Sequence, residues 1–272
     1  MKTGVVLKYG SDIEQKFKWC VENGIETCQL GIRAIEYNEE TVKIIRSAVK
    51  AAGIEISALI GSNTGPAKWD FYDGPLTIGI VPPAWQSHRI KELAESARFA
   101  AELGVPRVCA HMGFFPENPN DPLYTSAIAS VRWLAKIYEQ AGTGFNFETG
   151  QETPVTLLRI IEDIGSASIG VNFDPANLLM YGKANPIDAL DIIGKYIRGV
   201  HAKDGEYPDN PRTLGREKPL GEGRVNFPVF IQQLKKTGYD GPLTIEREIE
   251  GEKQKEDILK ANKKLKELIG AL

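Results

Sequence analysis

Four acidic or imidazole side chains end four consecutive apolar runs in the second half of the chain: Glu148 in GFNFETG, Asp174 in IGVNFDPAN, His201 in IRGVHAKDG and Glu246 in GPLTIERE. An ionised carboxylate withdrawn from water is costly unless it is paired or coordinates a metal. Glu, Asp, His and Glu arriving in that order from separate strands therefore point to one shared divalent cation. Three carboxylates and one imidazole form a hard, oxygen-rich set. Such a set suits Mn²⁺ or Mg²⁺, with Co²⁺ or Zn²⁺ as alternatives, and it is unlike the thiolate-rich sites of structural zinc. Four protein ligands leave an octahedral ion two positions, enough to chelate adjacent oxygens of a hydroxy-ketone. Chelation would stabilise the charge that develops on an enediolate when a proton leaves the neighbouring carbon. Glu148 and Glu246, from the fifth and eighth strands, stand roughly opposite each other across such an ion and fit the two acid/base roles.

Each residue also has a purely structural reading. Glu148 could pair with an arginine at a barrel rim, Asp174 could cap the turn that begins at Pro175, and His201 could bond a backbone carbonyl. Their succession over strands five to eight favours the shared site. Glu248 competes with Glu246, because alternation along a strand points both the same way, with Glu248 one layer nearer the rim. Glu246 ranks first as the ligand and Glu248 as a supporting residue.

The elements that must carry these groups repeat one theme. Helix-period segments end at a glycine and give way at once to a short β-rich run: VENG then IETCQLGI, KAAG then IEISALIG, AELG then VPRVCAHMG, EQAG then TGFNFETG. IEDIG, IIG and KKTGYDG introduce three more strands, and the opening VVLKYG completes eight. Gly24 is read as a helix-terminating residue rather than half of an Asn-Gly hairpin turn. Helices alternating with single strands imply parallel pairing and right-handed crossovers, hence an α/β fold that closes as a (β/α)8 TIM barrel. The helix expected over His88 to Leu103 places Ile90, Leu93, Ala94, Ala97 and Ala101 on one face. Two stretches are long for barrel loops, Gly61 to Gln86 and Gly205 to Asn226, and long loops in compact domains are usually functional.

Composition agrees with a single domain over 1–272. The 272 residues, 42% of them hydrophobic, match one α/β barrel of about 250 residues. A net charge of -3 gives no basic field for nucleic acid or anionic membrane, so the expected partner is a small molecule. Cys20, Cys28 and Cys109 are an odd set without metal-finger spacing, as expected of a cytoplasmic protein. No signal segment or membrane span is evident.

The order Glu, Asp, His, Glu, together with VHAKDG, PLGEGRVNF and YDGPLTIERE, resembles the xylose isomerase-like TIM barrels. Within them it is most similar to the sugar phosphate isomerase/epimerase family, which includes D-tagatose 3-epimerase and 2-keto-myo-inositol isomerase. The resemblance covers the full chain, with its specific motifs between Phe145 and Glu250. It implies that Glu148, Asp174, His201 and Glu246 hold one divalent metal, usually Mn²⁺, that the first and last exchange protons with substrate carbons, and that the protein is a homodimer or homotetramer. The chain departs from the epimerases at three positions. Asn177 stands where they carry a substrate-holding histidine, Tyr207 where they carry an arginine, and Gln29 near a common strand-2 carboxylate. The metal site is untouched by these changes; substrate identity is not.

Further contacts are assigned by position. His111, at the end of strand four, is a candidate substrate or supporting contact, as are Asn177 and Lys203 for substrate; Asp204 would orient the metal-binding imidazole. Trp69, Phe71, Tyr72 and Trp85 would form an apolar wall or lid, since aromatic rings pack on sugar CH faces and exclude water. No phosphate cradle or dinucleotide fingerprint is present. The leading expectation is a metal-dependent isomerase or epimerase of a keto-sugar or cyclitol. The alternatives are a lyase or dehydratase using the same enolate, a metal-free glycosidase using Glu148 and Glu246, and a nonenzymatic sugar-binding protein.

Overall fold

The computed structural model describes residues 1–62 and 64–272. Eight parallel strands close into a barrel: β1 (Thr3–Lys8), β2 (Thr27–Arg33), β3 (Glu55–Ser62), β4 (Arg107–Ala110), β5 (Gly144–Glu148), β6 (Ile169–Phe173), β7 (Ile197–Ala202) and β8 (Leu243–Ile245). β8 pairs with β1 in the register Thr3 to Leu243, which seals the cylinder. Helices separate the strands, so the outward strand face packs on helices and the inward face fills the barrel. Both faces of β5 and β6 are consequently buried. Among the described residues no helix is long and apolar enough to cross a membrane.

The strand ends fall where alternation of apolar runs and glycines placed them. Gly24 has a φ of 67°, the left-handed conformation that stops the helix Ile13–Glu22 before β2. Gly194 behaves differently. Its φ is −54°, within a short 3₁₀ turn, and a Cβ there would lie 2.6 Å from the Thr237 side chain, so close packing rather than a left-handed turn calls for glycine.

The helix expected from His88 begins earlier, at Pro83 (Pro83–Leu103), because proline is favoured in the first helical turn, where no N–H is needed. Trp85 therefore sits on a helix, not in a loop. Position 63, in the long connection after β3, lies outside the described residues. That connection contains a short helix, Gly74–Thr77, and is organised by Arg89. The guanidinium, 1% exposed, donates to the carbonyl oxygens of Thr64, Pro66, Thr77 and Gly79 at 2.7 to 3.0 Å.

The barrel interior beneath its carboxyl-terminal rim is polar, where most barrels of this class stack branched aliphatic layers. Two residues before each of the four singled-out groups, on the same inward face, stand Asn146, Asn172, Gly199 and Thr244; the three with side chains are fully buried.

Candidate metal centre

Glu148, Asp174, His201 and Glu246 meet at the carboxyl ends of β5 to β8. One ligand atom from each lies within 4.8 Å of the others. Nδ1 of His201 is 3.1 Å from Glu148 Oε1, 3.3 Å from Glu246 Oε2 and 3.5 Å from Asp174 Oδ2. Two of these atoms, His201 Nδ1 and Asp174 Oδ2, are buried without a hydrogen-bond partner. Buried polar atoms are rarely left in that state, and a cation held by the set would satisfy both. The hard donor set and the convergence of these two atoms fit a single divalent ion.

The electrostatics carry the same message. Burial favours neutral carboxyls, yet the His111 and His201 charges hold Glu148 well below its ordinary range. Burial is likewise outweighed at Glu246, which Lys203 and His201 bring down to about 2. Asp174 is raised, by burial first of all. At His201, burial opposes the charged form, but Glu246 and Glu148 lift the imidazole well above its usual value. The site without metal thus recruits protons to balance three converging carboxylates; a divalent cation would supply that charge and displace the imidazole proton.

Lys203, 2% exposed, lies beside the cluster. Its Nζ is 3.1 Å from Glu246 Oε2, 3.1 Å from Glu248 Oε2 and 3.2 Å from Asn177 Oδ1. Glu248 is 56% exposed at the side chain and Glu246 15%; both follow Ile245, the last residue of β8, and Glu248 is the nearer to solvent. Asn177 also places its Nδ2 3.5 Å from Glu148 Oε1. Nε2 of His111 lies 3.4 Å from the same Glu148 oxygen, and the ring meets Trp69 edge-on with centroids 5.0 Å apart. Trp69 is 51% exposed, a ring at the mouth of the site.

Three expectations need correction or refinement. Asp204 does not orient the imidazole: its oxygens accept backbone N–H groups from Gly205, Gly221, Gly223 and Val225 at 2.8 to 3.1 Å, which ties the long loop after β7 to the barrel. The partner of His201 Nε2 is Gln29 Oε1, at 2.8 Å. Trp85 packs on the segment after β3: a Cβ on Gly65 would meet its ring at 2.6 Å, and the Arg89 guanidinium lies 5.2 Å from its centroid. Tyr207 is 44% exposed and reaches the Ala184 carbonyl, so the position where the epimerases carry an arginine points to the loop surface.

Two residues of the GQET segment escaped sequence reasoning. Gln151 bonds His111 Nδ1 at about 3.1 Å, and Glu152, 3% exposed, has one carboxylate oxygen without a partner. Burial raises Glu152 to about 7. The polar run after β5 was the available signal.

A sequence model of the xylose isomerase-like TIM barrels matches residues 17–268. The chain belongs to this family. Among family relatives, the uncharacterized protein MJ1311 of Methanocaldococcus jannaschii is 29% identical over 203 residues, 69% of this chain and 66% of that protein. The crystal structure of a xylose isomerase domain protein from Planctomyces limnophilus superposes with a TM-score of 0.91 at 32% identity, covering 98% of this chain and 96% of that one. A D-tagatose 3-epimerase-like protein shares the fold at 21% identity, with a TM-score of 0.74 over 100% and 98% of the two chains.

Proposed function

We propose that this protein is a divalent-metal-dependent isomerase or epimerase of a keto-sugar or cyclitol, with Mn²⁺ as the preferred ion and Glu148 and Glu246 as the acid/base pair. The observation that carries the reading is the convergence of four ligand atoms within 4.8 Å, two of them buried and otherwise unsatisfied. Family membership and the likeness to a D-tagatose 3-epimerase-like protein support it. A bound cation would supply positive charge for two adjacent substrate oxygens where charge develops on proton removal. Glu148 and Glu246 are both held in the ionised form, so either can take the substrate proton as base, and the acid is whichever of them has taken up a proton, from the substrate or from solvent. Lys203 and Asn177 fix their carboxylates, and Trp69 offers an apolar face at the mouth.

The test combines metal analysis with deuterium exchange. Purified protein should carry one divalent ion, and it should incorporate deuterium from D₂O next to the carbonyl of one member of a panel of ketoses, inosose and hydroxypyruvate. Chelation should stop the exchange. E148Q and E246Q should each lower turnover by about 10²-fold or more while substrate still binds. Normal turnover in either variant would remove the two-carboxylate mechanism. An isomer conserves substrate mass, whereas the lyase alternative yields an enone absorbing in the near ultraviolet.

A further inference from the structure

The imidazole of His201 presents Nδ1 to three carboxylates, and only one of its two neutral tautomers can also present a lone pair there. If Nδ1 is to hold a cation, Nε2 must carry the hydrogen and must find an acceptor inside a barrel where His201 is fully buried. Gln29 supplies that acceptor. It comes from β2 and reaches across the barrel axis, since β2 and β6 are four strands apart in an eight-stranded cylinder. Its Oε1 lies 2.8 Å from Nε2 of His201, and its Nε2 donates to Asn172 Oδ1 on β6 at 2.9 Å. The Cys109 thiol sits 3.4 Å from the same Oε1, a further donor to that oxygen.

An amide has two ends; with Asn172 Oδ1 facing Gln29, as it does here, the NH₂ end goes to Asn172 and the carbonyl end to the histidine. Reversed, the NH₂ group would oppose a protonated Nε2 and the carbonyl oxygen would oppose Asn172 Oδ1, giving one donor–donor and one acceptor–acceptor clash. Space for the correct arrangement is provided by a glycine that a strand interior would otherwise avoid. Gly199 is two residues before His201 on the same face of β7 and pairs with Asn172. A Cβ there would lie 2.3 Å from Asn172 Oδ1 and 3.5 Å from Gln29 Nε2. The acceptor is also neutral, so the imidazole is oriented without adding a fourth buried negative charge to those of Glu148, Asp174 and Glu246.

We propose that Gln29, held by Asn172 in the gap left by Gly199, is the positioning residue of the cation site: it fixes His201 as the Nε2–H tautomer and thereby aims Nδ1 at the ion. The proposal rests on the metal reading above and adds to it a determinant of metal affinity lying outside the ligand set. Its consequence is that affinity is governed from across the barrel, by a residue outside the four candidate ligands.

Zinc, a diamagnetic probe, tests this without an activity assay. In imidazole-¹⁵N-labelled, zinc-loaded protein, one of the three histidines should show a metal-shifted Nδ1 and a protonated Nε2. Calorimetric zinc affinity should fall by about 10- to 100-fold in Gln29→Met, which keeps the volume and removes the amide. Gln29→Glu keeps an acceptor for Nε2 while adding charge and losing the donor to Asn172, so its zinc-loaded spectrum, rather than its affinity, should match the parent, with zinc on Nδ1 and hydrogen on Nε2 of the same histidine. A merely structural Gln29 would instead lower the melting temperature of metal-free Gln29→Met and leave the zinc affinity of the folded protein unchanged, and that result overturns the proposal. If Gln29→Met does not fold, the parent spectrum and Gln29→Glu decide: zinc on Nε2, or a hydrogen on Nδ1, is equally fatal. Failure of the parent to bind zinc would count against the metal site as a whole, and is distinguishable from unchanged affinity in the variant.

Discussion

Asp174 turns its two carboxylate oxygens in two directions. Oδ1 accepts the Asn177 N–H at 2.9 Å and caps the helix Pro175–Met180, while Oδ2 is buried without a hydrogen bond, 3.5 Å from His201 Nδ1 and 3.8 Å from Lys203 Nζ. The capping reading and the ligand reading of this residue are thus compatible, because a carboxylate can serve two directions at once. Glu152 shows what burial does without such a partner. Its carboxyl rises from an ordinary 4.5 to about 7, so the folded chain binds this proton more tightly than the unfolded one. The associated stability is full below about pH 4.5 and is lost as pH rises toward 7. Glu152→Gln removes that loss. In metal-free protein, the urea midpoint of the variant relative to the parent should therefore climb between about pH 4.5 and 7.5; parallel pH profiles would show that this carboxyl is not held protonated.

At the scale of elements, the two long loops are attached to the barrel by single buried charges. Arg89 gathers four carbonyls of the segment after β3, and Asp204 gathers four backbone N–H groups of the segment after β7. The loops meet at the surface, where the Arg212 guanidinium lies 5.8 Å from the Tyr72 ring. Arg89→Met keeps the hydrophobic stem and abandons the carbonyls, each of which costs about 1 kcal/mol or more if left unsatisfied. A loss of about 2–4 kcal/mol in urea denaturation is expected, with faster proteolysis confined to residues 64–79. Unchanged cleavage there would show that the loop holds itself. Neither clamp was legible in the sequence: an arginine inside a helix looks like a surface charge until its burial is known, and the position of Asp204 beside His201 points to the imidazole rather than to the loop backbone.

At the scale of the whole molecule, β1 and β8 come from opposite ends of the chain, and their pairing makes the barrel indivisible. Residues 1–272 are accordingly expected to unfold in one cooperative transition. Three carboxylates gathered in one buried place oppose that closure, and a divalent ion held among them would relieve them. Metal should therefore stabilise the fold by mass action, about 2.7 kcal/mol when free Mn²⁺ exceeds its dissociation constant a hundredfold. Calorimetric scans over a manganese series read this directly. His201→Ala should flatten the dependence, and an equal rise in that variant would mean that the ion binds elsewhere.

Strand number, strand direction and the convergence of Glu148, Asp174, His201 and Glu246 at one rim were legible in the residues themselves. A parallel barrel needs a repeated alternation of helix period and apolar run, and it delivers whatever ends each strand to one rim. Periodicity along the chain therefore already specifies which groups come together. The orienting partner of His201 was not legible, and Gln29 was read only as a departure from a common carboxylate. Contacts across the barrel axis join residues 172 and 143 positions apart, and no local pattern encodes which inward side chains will meet at its centre. Only closure of the cylinder brings Gln29 to His201 and Asn172, because the distance across a barrel depends on strand number and stagger rather than on any segment of sequence.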